Sequence, residues 1–150
     1  MKIMDFLSKK AITADLQSTK KDDVIKELVD LLIAAGEVEK SNRARVIDAL
    51  MERESLGSTA IGQGIAIPHA KTDSVKSLVG AFALSKKGVD FDSLDGEPVY
   101  IFFMLLAAQD SAGPHLKALA RISRLFKDNY FRDNLRNCID DKAIVKVIGQ

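Results

Sequence analysis

Apolar residues recur along this chain with two different periods, and the points where the period changes mark its elements. Ile12 to Leu16 reads as a brief extended piece. Ser18 is a candidate N-cap, after which Val24, Ile25, Leu28, Leu31 and Leu32 recur at helical spacing. Gly36 ends that helix with the residue best suited to a left-handed C′ position. Ser41 is set to cap a second helix, with Val46, Ile47, Leu50 and Met51 as its apolar face and its end before Gly57. From Gly57 to Ala70 the periodicity disappears. GSTAIGQGIAIPHA is rich in glycine and uncharged, which predicts a backbone-shaped loop running into a short strand, Ile65 to Ile67.

Leu78 to Leu84 predicts a second apolar strand, and Gly88 and Asp95-Gly96 are turn signals with Val89 and Phe91 as a short strand between them. Val99 to Ala108, VYIFFMLLAA, is apolar at both parities and so belongs in the middle of a sheet covered on both faces. It is about half the ~20 residues a membrane-spanning helix needs. Ala112-Gly113-Pro114 opens a third helix, with proline in the first turn where its missing N–H is harmless. Leu119, Ile122 and Phe126 continue its buried stripe. Two more helical segments follow, near Tyr130 to Asn137 and, capped by Asp140 or Asp141, near Lys142 to Ile148. Helices at both ends with strands between them predict an α/β fold. The expectation is a single domain over residues 1–150, a mixed β-sheet sandwiched between helices on both faces.

Composition narrows the classes. Hydrophobic residues make up 47% and charged residues 29% of 150, a globular profile. The 22 basic and 21 acidic residues leave a formal charge of +1, so no general attraction to nucleic acid or an acidic membrane follows. Cys138 is the sole cysteine, which rules out an internal disulfide and a multi-cysteine zinc site and suits a reducing compartment. The N-terminal residues lack the apolar core of a secretory signal. The expectation is a cytoplasmic chain with no membrane insertion and no nucleic-acid partner.

The glycine-rich loop fails two nucleotide motifs. Gln63 stands where a P-loop needs lysine, and Ile67 replaces the third glycine of a dinucleotide fingerprint that should in any case follow a strand. The loop does offer backbone N–H groups at Gly62 and Gly64 and hydroxyls on Ser58 and Thr59, a combination that suits phosphate-like anions. His69 follows, held by Pro68. An imidazole there can attack through one nitrogen while the other keeps a hydrogen bond. His115, in the first turn of the third helix, lies four residues before Leu119 on the inward stripe. Arg53 lies three residues after Leu50 and seven after Val46, pointed toward the loop, where a guanidinium can fork onto phosphate. By spacing alone each has a plainer alternative: a strand-end histidine, a helix-start histidine, an arginine on a helix C-terminus. Two histidines in different elements make no metal-ligand set, so no metal is expected.

The stretch from Arg53-Glu54 through Gly57-Ser58-Thr59, Ile61-Gly62-x-Gly64 and Ile65 to Pro68-His69 closely resembles the active-site segment of enzyme IIA domains. These belong to the bacterial phosphoenolpyruvate-dependent phosphotransferase system, in the fructose–mannitol branch that includes nitrogen-regulatory proteins. Phe91 to Val99 and His115-Leu116-x-x-Leu119 agree, and the resemblance runs from about Met4 to Ile148. It implies that His69 takes phosphate from the carrier protein HPr, with His115 beside it and Arg53 supporting the phosphoryl group. Ser58, Thr59, Gly62 and Gly64 would add phosphate contacts, and Ile61, Ile65 and Leu116 an apolar rim. It also implies an α/β domain without metal or organic cofactor, and a downstream IIB component or regulatory target as second partner. A nitrogen-regulatory phosphocarrier is the leading expectation. A fructose- or mannitol-type sugar component and a non-catalytic binding module of the same fold are the alternatives.

Overall fold

A computed structural model describes residues 2–149; Met1 and Gln150, the ends of the expected domain, lie outside the described residues. The chain forms β1 (Leu7–Thr13), α1 (Lys21–Ala34), α2 (Arg43–Ser55), β2 (Ala60–Gly62), β3 (Ile65–Ala66) and β4 (His69–Lys71). It continues through β5 (Val79–Val89), β6 (Val99–Ala107), α3 (Ala112–Leu125), α4 (Asn129–Arg136) and α5 (Asp141–Ile148). The six strands make one mixed sheet in the order β1-β5-β6-β3-β2, with β4 also paired to β6.

The all-apolar strand is central, as its composition requires. Alternate β6 residues enter opposite cores: Phe102, Met104 and Leu106 pack with α1 and α2, whereas Ile101, Phe103 and Leu105 pack with α3, α4 and α5. Helices therefore cover both faces, in agreement with the expected architecture. Leu28, Leu32 and Leu50 seal one side, Ile122, Phe126 and Ile144 the other, each fully buried or nearly so. Burial on this scale contributes roughly 1.5–3 kcal/mol per large side chain. Among the described residues no helix is long and apolar enough to cross a membrane.

β3 and β4 run parallel to β6 along the same edge, with Ile65 opposite Ile101 and His69 opposite Leu105. The break between them falls at Ile67-Pro68, because proline has no N–H to give a ladder; its carbonyl still accepts from Leu105 N at 2.9 Å. β2 pairs only with β3. The outer edge of β4 is therefore left for side chains, and His69 starts that strand.

Several local expectations need correction. The first strand is Leu7–Thr13 and not residues 12–16: an irregularity between Leu7 and Ile12, with Lys9 and Lys10 exposed, breaks the alternation that would reveal it. Ser18 is not the cap of α1. Its hydroxyl donates to Glu27 Oε1 at 2.7 Å and its amide to the same oxygen at 2.9 Å, while Lys20 occupies the cap position without a side-chain bond. Ser41 lies in a 3-10 turn, Lys40–Asn42, ahead of α2. β5 runs on past Leu84 to Val89, which pairs with Val99, and the glycine loop holds three short strands instead of one. Gly36, at φ +80, does end α1, and Asp140 caps α5 by accepting from Ala143 N at 2.8 Å.

Candidate functional site

The site forms where the C-terminal ends of β4 and β6 meet the end of α2 and the start of α3. Pro68 sets the chain entering β4, and Ala70 packs toward α1 and α2, so its strand neighbours His69 and Lys71 take the opposite face. His69 Nδ1 lies 2.8 Å from the Ile67 carbonyl oxygen. A carbonyl only accepts, so Nδ1 carries the proton and Nε2 keeps the lone pair. Burial lowers the His69 pKa; the bond to Ile67 opposes that, Arg53 lowers it further, and Glu54 raises it. The ring is held neutral, with Nε2 unprotonated.

α3 brings the second ring. His115, Ala118 and Ile122 are its buried residues, so His115 sits at the open end of an otherwise apolar stripe. Its ring meets that of His69 edge to face, with centroids 5.4 Å apart and planes at 86°. The residue is only 4% exposed, and among the described residues neither Nδ1 nor Nε2 has a hydrogen-bond partner. Burial first, then the neighbouring His69 and Lys71, pulls its pKa down to about 4. A neutral imidazole with an unmet donor and acceptor beside the His69 ring can take a polar ligand, since leaving such groups unpaired costs roughly 1–3 kcal/mol.

α2 supplies Arg53. The inward stripe of that helix is Val46, Leu50 and Glu54, at steps of four, and Arg53 lies half-buried at its edge. Its Nη1 donates to the Gly57 carbonyl at 2.8 Å. Arg53, His69, Lys71, Gln109 and His115 line one open cavity of about 530 Å³, together with Leu56, Leu116 and Leu119. Leu56 and Leu116 are 81% and 67% exposed, and so form an apolar rim around cationic and imidazole groups.

The sequence-predicted trio thus converges, but the loop residues do not join it. The Ser58 hydroxyl donates to the Phe91 carbonyl at 2.8 Å. Thr59 is buried, and both its hydroxyl and its amide donate to the Glu54 carboxylate. Gly62 ends β2 opposite Ile65, and in the turn that follows Gln63 N donates to Asp95 Oδ2 at 2.9 Å. The Gly64 carbonyl accepts from Tyr100 N and Ile101 N. Ser58, Thr59, Gly62 and Gly64, expected as phosphate contacts, do not line the cavity. Ile65 is a core residue and Ile61 lies on β2, so of the expected rim only Leu116 is at the cavity.

Sequence reading missed Lys71, Gln109, Leu56 and Glu54. Two of these carried a signal. Lys71 is two residues from His69 on a strand, hence on its face, and Glu54 is a carboxylate at an apolar i+4 position. Among the described residues no group of three or more His, Cys, Asp and Glu side chains is placed to hold a metal ion.

Three comparisons bear on this geometry. The family model "Phosphoenolpyruvate-dependent sugar phosphotransferase system, EIIA 2" matches residues 5–150. The chain is 39% identical over 149 residues to a nitrogen regulatory protein of Bradyrhizobium diazoefficiens, covering 99% of this chain and 95% of that one. It is 42% identical over 150 residues to the fructose-specific EIIABC component of the phosphotransferase system of Bacillus subtilis, and spans 23% of that protein's length. In three dimensions it is similar to the nitrogen regulatory protein IIA-Ntr from Neisseria meningitidis, with a TM-score of 0.87 at 32% identity, covering 97% of this chain and 98% of that one.

Proposed function

Because the chain belongs to the EIIA 2 family of the phosphoenolpyruvate-dependent sugar phosphotransferase system, we propose that it is a phosphocarrier whose acceptor atom is His69 Nε2. The observation that carries this reading is the pairing of two neutral imidazoles at one cavity. One is oriented by the Ile67 carbonyl with its lone pair free; the other is buried with its hydrogen-bonding capacity unmet.

The step is an in-line displacement. The lone pair on Nε2 attacks phosphorus of a donor phosphohistidine on an HPr-like carrier, the Nε2–P bond forms, and the donor ring leaves with the electron pair of the broken N–P bond. Nδ1–H stays on the Ile67 carbonyl, and the donor ring, with a proton on its other nitrogen, leaves as neutral imidazole, so no proton has to move. Arg53 and Lys71 supply positive charge to the phosphoryl oxygens, and the His115 N–H finds in one of them the acceptor it lacks. Leu56, Leu116 and Leu119 exclude water and give donor and acceptor proteins a common apolar surface. Onward transfer goes to a downstream IIB component, or the phosphorylation state itself is read by a regulatory target.

The regulatory version is favoured by the likeness to nitrogen regulatory proteins in sequence and in fold. A sugar-transport version has its own support in the 42% identity to a fructose-specific component. Transfer from the phosphorylated chain to a fructose-type IIB protein would establish the second.

Incubation with phosphoenolpyruvate, enzyme I and HPr, followed by intact-mass measurement, tests the common core. The expected result is a gain of one phosphate in the wild type and none in His69→Ala. A wild-type chain that gains nothing is a binding module of this fold, and the reading fails.

A further inference from the structure

Among the described residues Glu54 is the one buried carboxylate, and nothing in phosphoryl chemistry asks for it. Its negative charge is the wrong sign for a phosphate site. A carboxylate out of water persists only when its charge and lone pairs are met. Here Lys21 Nζ lies 2.9 Å from Oε2, and Thr59 donates from both amide and hydroxyl. Lys21 also reaches Asp92 Oδ2 at 3.3 Å and lies over the Phe91 ring, whose residue holds the Ser58 hydroxyl through its carbonyl. The first turn of α1, the last turn of α2, and the segments around Thr59 and Phe91 are therefore tied at one point.

What this tie controls is the path from residue 54 to residue 59. Glu54 closes it twice: its backbone carbonyl accepts from Gly57 N at 3.1 Å, and its side chain accepts from Thr59 N at 3.2 Å. Gly57, pinned between, offers the carbonyl that receives Arg53 Nη1. Neighbours on a helix diverge by about 100°, so Arg53 reaches the cavity while Glu54 reaches the core. We propose that Glu54 is a positioning residue for phosphoryl transfer: paired with Lys21 and Thr59, it fixes the 54–59 loop and thereby aims the Arg53 guanidinium at the His69 cavity through the Gly57 carbonyl.

The inference rests on His69 as acceptor and adds a residue that touches neither phosphate nor partner. A free arginine side chain samples many rotamers, and fixing one in advance speeds a step that depends on charge placement.

Removing Glu54 alone leaves the half-buried Lys21 with the exposed Asp92 as its counter-charge, so the variant to use is Lys21→Met with Glu54→Gln, which removes both charges of the inner pair together. Single-turnover transfer from phosphorylated HPr is measured in wild type, this double variant, Arg53→Ala and the triple combination, with circular dichroism confirming the fold. The expected result is a rate at saturating donor about tenfold lower in the double variant, with KM nearly unchanged, and less than about a twofold further effect in the Arg53→Ala background. A wild-type rate in the double variant overturns the proposal, as does an undiminished tenfold loss in both backgrounds, which a merely structural role would give. Should the double variant not fold, Thr59→Val cuts one hydrogen bond to the carboxylate without removing charge. It should slow transfer about threefold, again only when Arg53 is present, and an unchanged rate overturns the proposal. Failure of the wild type to take phosphate on His69 instead defeats the underlying reading, and is seen separately in the intact mass.

Discussion

At the scale of single residues, the two histidines differ in what they are bonded to, and each difference has a pH signature. His69 has one nitrogen satisfied and its pKa lowered from the ordinary histidine value chiefly by burial, which favours the neutral ring. The rate of phosphate acceptance should therefore show its inflection below pH 6.5, the ordinary histidine value. An inflection at or above 6.5 in single-turnover kinetics would contradict this. His115 is unbonded and its pKa is pulled from 6.5 to about 4. The unfolded chain therefore binds the proton between those values and the folded chain does not. Stability contributed by this group is fully present above 6.5 and is lost as pH falls toward 4, by about 3 kcal/mol in all. Urea unfolding at pH 7 and pH 4 should show that extra loss in wild type relative to His115→Phe, where nothing titrates. Equal losses would mean that the ring is not held neutral by the fold.

Elements were readable from sequence wherever their cause is local. The helical stripe of α1, the stop at Gly36 and the Asp140 cap all follow from side-chain period and backbone preference within a few residues. Ser18 misled because its partner is a side chain further along the helix. A hydroxyl near a helix start is a cap only if no better acceptor or donor packs beside it, and Glu27 reaches Ser18 from within α1. Gly88 shows an element-scale constraint that sequence flagged only as a turn. It sits at φ +83, its amide donates to Ser85 Oγ at 3.0 Å, and a Cβ there would come within 2.9 Å of the Tyr100 ring and 3.0 Å of Pro98. Gly88→Ala should destabilise by about 1–3 kcal/mol, read as a lowered midpoint in denaturant. The defect lies at the Val99 end of β6, away from Leu105 and His69, so transfer by the folded fraction should be unchanged.

For the molecule as a whole, the cores hold the sheet and the cavity takes what the edge of β4 leaves open. Phe103 is fully buried among Phe6, Phe82 and Phe126, at centroid distances of 6.1, 5.9 and 6.3 Å. Phe103→Ala should lose about 3–5 kcal/mol, a large part of a typical folding free energy. Arg53→Ala, which removes a half-buried side chain bonded, among the described residues, only to a backbone carbonyl, should barely move the thermal midpoint while slowing transfer at least tenfold. Similar thermal losses in the two would place Arg53 with the core instead. By itself the sequence determined the periods of the helices, the central place of Val99 to Ala107, and the stretch around His69 that marks the family, because periodicity and motif are written residue by residue. Tertiary structure alone decided that α3 delivers His115 to within 5.4 Å of His69, that Glu54 turns inward, and that Ser58 and Thr59 turn away. Strand order and the choice of hydrogen-bond partner depend on which distant segment packs alongside, and that is settled only when the two cores close.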